Sequence, residues 1–226
     1  SRRFASGPRQ RASACLRGTR CLSAGPVVRV KLAHMSEDDE LRNKWDARYA
    51  QAGAPPVPLE VLTENAHLLP GHGDALDLAS GLGGSALFLA GRGLRTQAWD
   101  LSPVAVGTLR RLAEGLPLCA QVRDVAASPP SPGRFDVICV GHFLDRPLCP
   151  SIAAALRPGG LLFYQTFTRE RVDDSGPGNP CFRLGRNELL RLFADLELCF
   201  YREEGTIGDP GQGFRNRAQL VAQRPR

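Results

Sequence analysis

Two carboxylates and a cluster of glycines supply the first legible chemistry in this chain of 226 residues. Asp77 lies inside a short apolar run; Gly81, Gly83 and Gly84 follow it, and Asp100 closes the next apolar run. Glycines at a strand-to-helix turn let backbone approach a ligand where a Cβ would collide. An acid about 20 residues further on can accept hydrogen bonds from ribose hydroxyls. The stretch Ala75 to Pro103 therefore describes a βαβ unit built for a nucleoside-containing ligand. Gly81-Leu82-Gly83-Gly84-Ser85-Ala86 satisfies G-x-G-x-x-G/A, which leaves a dinucleotide open. Asp77 argues for another ligand. It gives D-x-A-x-G-x-G, and a carboxylate there orients the loop amides and favours a cationic amino group. Beside a pyrophosphate it would face charge of its own sign.

The elements that must position these groups follow from the apolar pattern. Short apolar runs at Ala75–Leu78, Arg95–Trp99, Cys119–Val122, Phe135–Val140 and Leu161–Thr166 alternate with helical stretches at Gly84–Ala90, Pro103–Glu114 and Leu148–Leu156. Strands Glu197–Arg202 and Gln219–Gln223 close the chain around a glycine-rich loop, Gly205–Gly213, after a helix at Asn187–Phe193. The predicted fold is α/β: a Rossmann-like, doubly wound, mostly parallel seven-stranded sheet with helices on both faces. Two helices precede the first strand and form a candidate N-terminal lid. One runs from Glu37 to Ala52 behind a Ser36/Asp39 capping box, the other from Leu59 to Leu68. Pro158-Gly159-Gly160 reads as a turn directly before the fifth strand. Val125 to Arg134 carries three prolines, too many for a crossover helix, and reads as an extended strap or a single turn. Arg169 to Pro180 is a polar Gly/Pro loop long enough to be functional.

Charge narrows the partners. The net +6 is concentrated in residues 1–34, which hold seven Arg and one Lys and no acid; the remaining 192 residues sum to −2. A basic nucleic-acid surface on the domain is not implied. The division is therefore a basic extension, 1–34, expected to be disordered, and one domain, 35–226. The extension reads as upstream sequence ahead of Met35, as an acid-poor targeting segment, or as a basic arm. No apolar run reaches membrane-spanning length. The seven cysteines form no C-x-x-C pair, so neither a zinc site nor a disulfide framework is expected, and a reducing cytosol is the simplest compartment. Cys119, Cys139 and Cys199 fall in strands, where a free thiol acts as a small buried hydrophobe.

The motifs DLASGLGG, AWDLSPVAV, RFDVICVGHFLDRP, LRPGGLLFYQTFT and NPCFRLGRNELLRLF together resemble the class I S-adenosylmethionine-dependent methyltransferases, in particular the small bacterial tellurite-resistance (TehB-like) type. The resemblance spans Trp45 to about Tyr201. Ala79 departs from it, standing where the family has the first loop glycine. The resemblance implies S-adenosylmethionine as cofactor and assigns roles by position. Asp77 lies under the loop; Ala79, Gly81 and Gly83 pass beneath the methionine moiety. Asp100 binds the ribose hydroxyls and Leu101 packs on adenine. Asp124 accepts from the adenine amino group beside the Val125 amide; alternatively Asp100 and Asp124 are plain strand-end caps. Gly141 and His142 border the methionine tail and the transferred methyl.

Methyl transfer asks mainly for alignment and exclusion of water. A thiolate or chalcogen oxyanion needs little acid–base help, whereas a hydroxyl or amine needs a base, and His142 is the candidate. Trp45, Tyr49, Arg146, Tyr164, Thr166, Phe182 and Arg183 are candidates for the acceptor pocket, with the two arginines suited to an anion. Strand four runs on as VGHFLD rather than the (D/N)PP(Y/F) of exocyclic-amine DNA methylation, and no lysine follows Lys44. These absences favour a small-molecule acceptor over nucleic acid. An NAD(P)-binding oxidoreductase and a non-catalytic cofactor-binding protein are the rival readings.

Overall fold

The computed structural model describes residues 37–52 and 55–226. The basic extension 1–34 and Ser36 of the expected capping box lie outside the described residues. Alternation of apolar strands with amphipathic helices builds one seven-stranded sheet in the order β3-β2-β1-β4-β5-β7-β6. Its strands are β1 (Asp74–Leu78), β2 (Arg95–Asp100), β3 (Leu118–Val122), β4 (Phe135–Gly141), β5 (Leu156–Phe167), β6 (Glu197–Arg202) and β7 (Arg217–Gln223). The first five pair in parallel, while β7 runs antiparallel between β5 and β6. Helices α1 (Glu37–Ala50), α2 (Glu60–Glu64), α3 (Gly84–Gly91), α4 (Pro103–Leu112), α5 (Cys149–Ala155) and α6 (Glu188–Leu192) complete the layers. The predicted second helix is broken: after α2 the chain turns at Asn65 into a short 3₁₀ segment, Ala66–Leu68.

The core lies on both sides of the sheet. Leu76, Ile138, Val140, Leu162 and Tyr164 pack on α5 and the strap; Ala75, Val137, Phe163 and Val221 pack under α2 and α3. Strand order reverses between β1 and β4, and in such sheets the crevice outside the carboxyl ends at that point receives ligands.

Two local expectations are corrected. Pro158-Gly159-Gly160 is not a turn ahead of β5 but a wide bulge inside it: pairing jumps from Phe135↔Leu156 to Val137↔Leu161, with Gly159 at φ +80°. Cys119 and Cys199 are exposed, unlike the buried Cys139. They sit on the two edge strands. Beside β3 the Val125–Arg134 connection forms a turn and strap instead of a covering helix, held by Arg123, which donates to the carbonyls of Ser128 and Pro129 at 2.8 and 2.9 Å. Leu198 on β6 is exposed likewise. Among the described residues no helix is long and apolar enough to cross a membrane, and no cluster of His, Cys, Asp or Glu could hold a metal ion.

Candidate functional site

The site grows from the turn after β1. Ala79, Gly81 and Gly83 all take left-handed backbone, at φ +55°, +53° and +79°. Glycine does so freely; Ala79 does so against its own Cβ. The loop is fixed at both ends, Ser80 N–H donating to the Trp99 carbonyl at 3.0 Å and Gly83 N–H to that of Ser80 at 2.9 Å. Asp77, 3 % exposed, accepts from the Ala86 amide in the first turn of α3 at 2.9 Å. Burial pushes its carboxyl well above the usual range, and the nearby Asp100 adds to this. A buried anion so poorly compensated favours a cationic ligand group beside it.

Asp100 ends β2 at 6 % exposure with both oxygens engaged: Oδ2 accepts from Gly81 N–H at 2.7 Å, Oδ1 from Ser102 N–H at 2.9 Å. Ser102 caps α4, its hydroxyl accepting from Ala105 N–H at 3.1 Å. Burial raises the Asp100 carboxyl, and those two amides pull it back. The carboxylate is thus held rigidly to the glycine loop, with its remaining lone pairs available to paired hydroxyls. Asp124 Oδ1 likewise accepts from amides of its own turn, those of Ala126 and Ala127 at 2.9 and 3.1 Å. The Val125 side chain is buried in the core, and Leu101 follows Asp100 half-buried.

Between Asp77, Ala79, Ser80, Ser85, Gly141 and His142 lies a cavity of about 110 Å³, roofed by Val57 and Leu59. The Ser80 hydroxyl, buried there, has no hydrogen-bond partner. The Asp100 side of the loop is covered by Tyr49, whose hydroxyl stands 2.9 Å from where a Gly81 Cβ would be. A cradle with left-handed glycines, a pinned carboxylate and an orphaned hydroxyl suits an amino-acid-bearing nucleoside.

Residues 75–160, from β1 into β5, match the family model described as a methyltransferase domain. That matched stretch, 86 of the 226 residues, is what the chain shares with the family. S-adenosylmethionine is the cofactor that this match implies. Over 142 residues the chain is 34% identical to hemagglutinin 1 of Eikenella corrodens, covering 57% of this chain and 45% of that protein. The chain thus spans about half the length of that curated relative. Among solved structures it is similar to one described for the conversion of a disulfide bond into a thioacetal group during echinomycin biosynthesis (TM-score 0.61, 23% identity, 82% of this chain and 92% of the other). It is also similar to TehB from Haemophilus influenzae (TM-score 0.56, 22% identity, 81% and 66%). A further likeness is to an S-adenosylmethionine-dependent methyltransferase from Mesorhizobium loti (TM-score 0.60, 14% identity, 76% and 99%). At these identities the structures share the fold.

The structure departs from the sequence reading mainly on the acceptor side. Arg146 forms a bidentate pair with Glu188 at 2.7 and 3.0 Å and donates to the carbonyls of Cys181 and Arg183. Arg183, 3 % exposed, donates to the carbonyls of Thr168, Ser175 and Pro177. With every guanidinium nitrogen in use, both arginines brace the 168–188 loop instead of facing a substrate. Tyr164 is wholly buried and donates to the Phe143 carbonyl at 2.9 Å, propping the backbone just past His142. Thr166 is buried too, its hydroxyl unpartnered, and Phe182 is exposed on the loop.

His142 does stand at the cavity. Its backbone is left-handed, φ +54°, its N–H donates to the Gln165 carbonyl at 2.8 Å, and its ring lies against Phe167, centroids 5.1 Å apart. Although the residue is exposed overall, crowding around the ring lowers its pKa, and the charges of Arg217 and Arg48 lower it further against Glu60. Trp45 and Tyr49 stack at 5.8 Å, with the Arg48 guanidinium 5.5 Å from the Trp45 ring centre. Sequence reasoning passed over Asp46, Ser102 and Arg217. Ser102-Pro103 is a helix-start signal that could have been read; nothing local marks the other two, which matter only through long-range contacts.

Proposed function

We propose that the domain transfers a methyl group from S-adenosylmethionine to a small anionic acceptor, a thiolate or chalcogen oxyanion. When bound, the cofactor supplies an electrophilic methyl group on a sulfonium. Asp100 would hold the ribose, Asp77 and the Ser80 hydroxyl the amino-acid end, and the loop amides the rest. Tyr49, Val57 and Leu59 exclude water from above. The observation that carries the acceptor reading is the sign of charge around His142. Arg217 and Arg48 both bear on it electrostatically, and among the described residues one carboxylate, Glu60, opposes them, ion-paired to Arg217 at 3.0 Å. Asp77 and Asp100 stand by the glycine loop, whereas two arginines against one carboxylate act on His142. His142, kept neutral, would take the proton from a thiol before or during attack. The thioacetal-forming neighbour, whose described conversion is at sulfur, fits the same chemistry. Residues 35–226 are read as one domain working on small molecules in the cytoplasm, without nucleic acid.

The test incubates the chain with S-adenosylmethionine and a panel of thiols, selenite and tellurite, following methylated products by mass spectrometry. Turnover that falls about tenfold or more in Arg217→Ala supports an anionic acceptor. Binding of S-adenosylhomocysteine without turnover of any panel member would make the domain a cofactor-binding protein, and binding of NAD alone would sink the reading.

A further inference from the structure

Helix α1 carries an acid that no part of the chemistry above uses. From its middle, Asp46 accepts a hydrogen bond from the Ser102 hydroxyl and a longer one, 3.4 Å, from the Val104 amide. Ser102 is fully buried and passes the connection on, its N–H bonding Asp100 Oδ1 at 2.9 Å. Asp100 Oδ2 in turn holds Gly81 N–H at 2.7 Å. A continuous hydrogen-bonded chain therefore runs from α1 to the glycine loop: Asp46, Ser102, Asp100, Gly81. Asp46 and Tyr49 share a helix face at i, i+3, and Tyr49 lies over Gly81 at the far end of that chain. Burial beside Asp100 raises the Tyr49 hydroxyl's pKa, consistent with a place inside the site and not at its rim.

How firmly is α1 held? None of its residues from Asp39 to Ala50 is buried. A helix without a buried apolar stripe owes its docking to a few specific contacts and opens at low cost. Among those contacts are the Asp46 pair of hydrogen bonds at the start of α4 and the Tyr49 ring on the loop.

We infer that α1 is a cofactor-coupled lid latched by Asp46, a positioning residue that acts through Ser102 on Asp100. Docking of the helix and filling of the Asp100 site are then one linked event, and Tyr49 serves the cofactor side. Opening α1 admits the cofactor; closing it completes the wall over the glycine loop. This rests on the reading of the Asp100 pocket as the cofactor site, and the two can fail separately.

The experiment uses the full chain and S-adenosylhomocysteine as probe, with calorimetry, stopped-flow binding and hydrogen exchange of residues 37–50. Wild type should gain exchange protection in α1 on binding. Asp46→Leu should bind about tenfold more weakly, the loss of a hydrogen bond to a charged group, through faster dissociation, and should lose that protection. Asp46→Asn, whose amide oxygen still accepts from Ser102, should keep most of both. Arg42→Ala on the same helix should change neither, and thermal melting checks folding throughout. Equal affinity and equal dissociation rate in Asp46→Leu, or no protection of α1 in wild type, overturns the latch while leaving the cofactor site standing. Should Asp46→Leu not fold, α1 protection in wild type decides the question. Absence of binding by wild type overturns both.

Discussion

Replacing Asp100 by alanine tests the cofactor assignment and the loop together. The carboxylate accepts two backbone N–H groups, from Gly81 at 2.7 Å and Ser102 at 2.9 Å, at 6 % exposure. Alanine leaves both donors without a partner, each costing about 1–3 kcal/mol. Against this stands relief of a buried charge that the fold accommodates poorly, its carboxyl being raised by burial. A net loss of about 1–3 kcal/mol follows, a fall in Tm of roughly 2–10 °C for a chain of this size. The effect on ligand is larger. Two ribose hydroxyls donating to an anion contribute about 1.5–3 kcal/mol each, about 3–6 kcal/mol together. That is roughly 10²–10⁴-fold in affinity. Calorimetry with S-adenosylhomocysteine, run well below the variant's Tm, should show binding lost or barely measurable. Unchanged affinity in a folded Asp100→Ala protein would refute the assignment of this pocket outright.

Ala79→Gly should raise stability by about 0.5–1 kcal/mol in denaturant titration: left-handed backbone costs alanine about 1–2 kcal/mol, and glycine's extra unfolded-state freedom cancels part of it. A loss of stability would show that no strain is stored there. For Asp77→Asn the sign follows from a folded-state pKa raised well above the unfolded one. Such a group contributes stability only at acid pH, lost as pH rises through its folded pKa. The amide still accepts from Ala86, so Tm at neutral pH should rise while cofactor affinity falls; a lower Tm at neutral pH contradicts the argument. His142→Asn keeps a residue that tolerates left-handed backbone and should cut turnover of protonated thiols by about 10²-fold, with oxyanions little affected. Because the imidazole pKa is lowered, wild-type turnover of thiols should hold through neutral pH and fall only below the ordinary histidine range. A fall beginning above that range counts against His142 as base.

The five inner strands were legible because β-strands buried on both faces must be apolar almost throughout, a signal that survives without tertiary context. Asp100 was legible for a related reason: its spacing from the loop is set by one helix and one strand, a distance measured along the chain. The acceptor side failed where spacing says nothing. Arg146 and Arg183 look like anion binders as residue types, but any arginine beside unpaired loop carbonyls will satisfy them first. Tyr164 alternates correctly for a strand, yet which face meets the site depends on what packs beyond it. Cys119 and Cys199 were expected inside because strands usually are covered; the β3–β4 strap and the open β6 edge leave them bare.

By itself the sequence determined the βαβ frame, the glycine loop and the two acids beside it, since all of these are local and are encoded by backbone freedom and short-range spacing. Only the tertiary structure decided which polar side chains are free to act. A guanidinium or hydroxyl is available when nothing nearer claims its hydrogen bonds, and those competing carbonyls and carboxylates arrive from strands and loops far away in the chain.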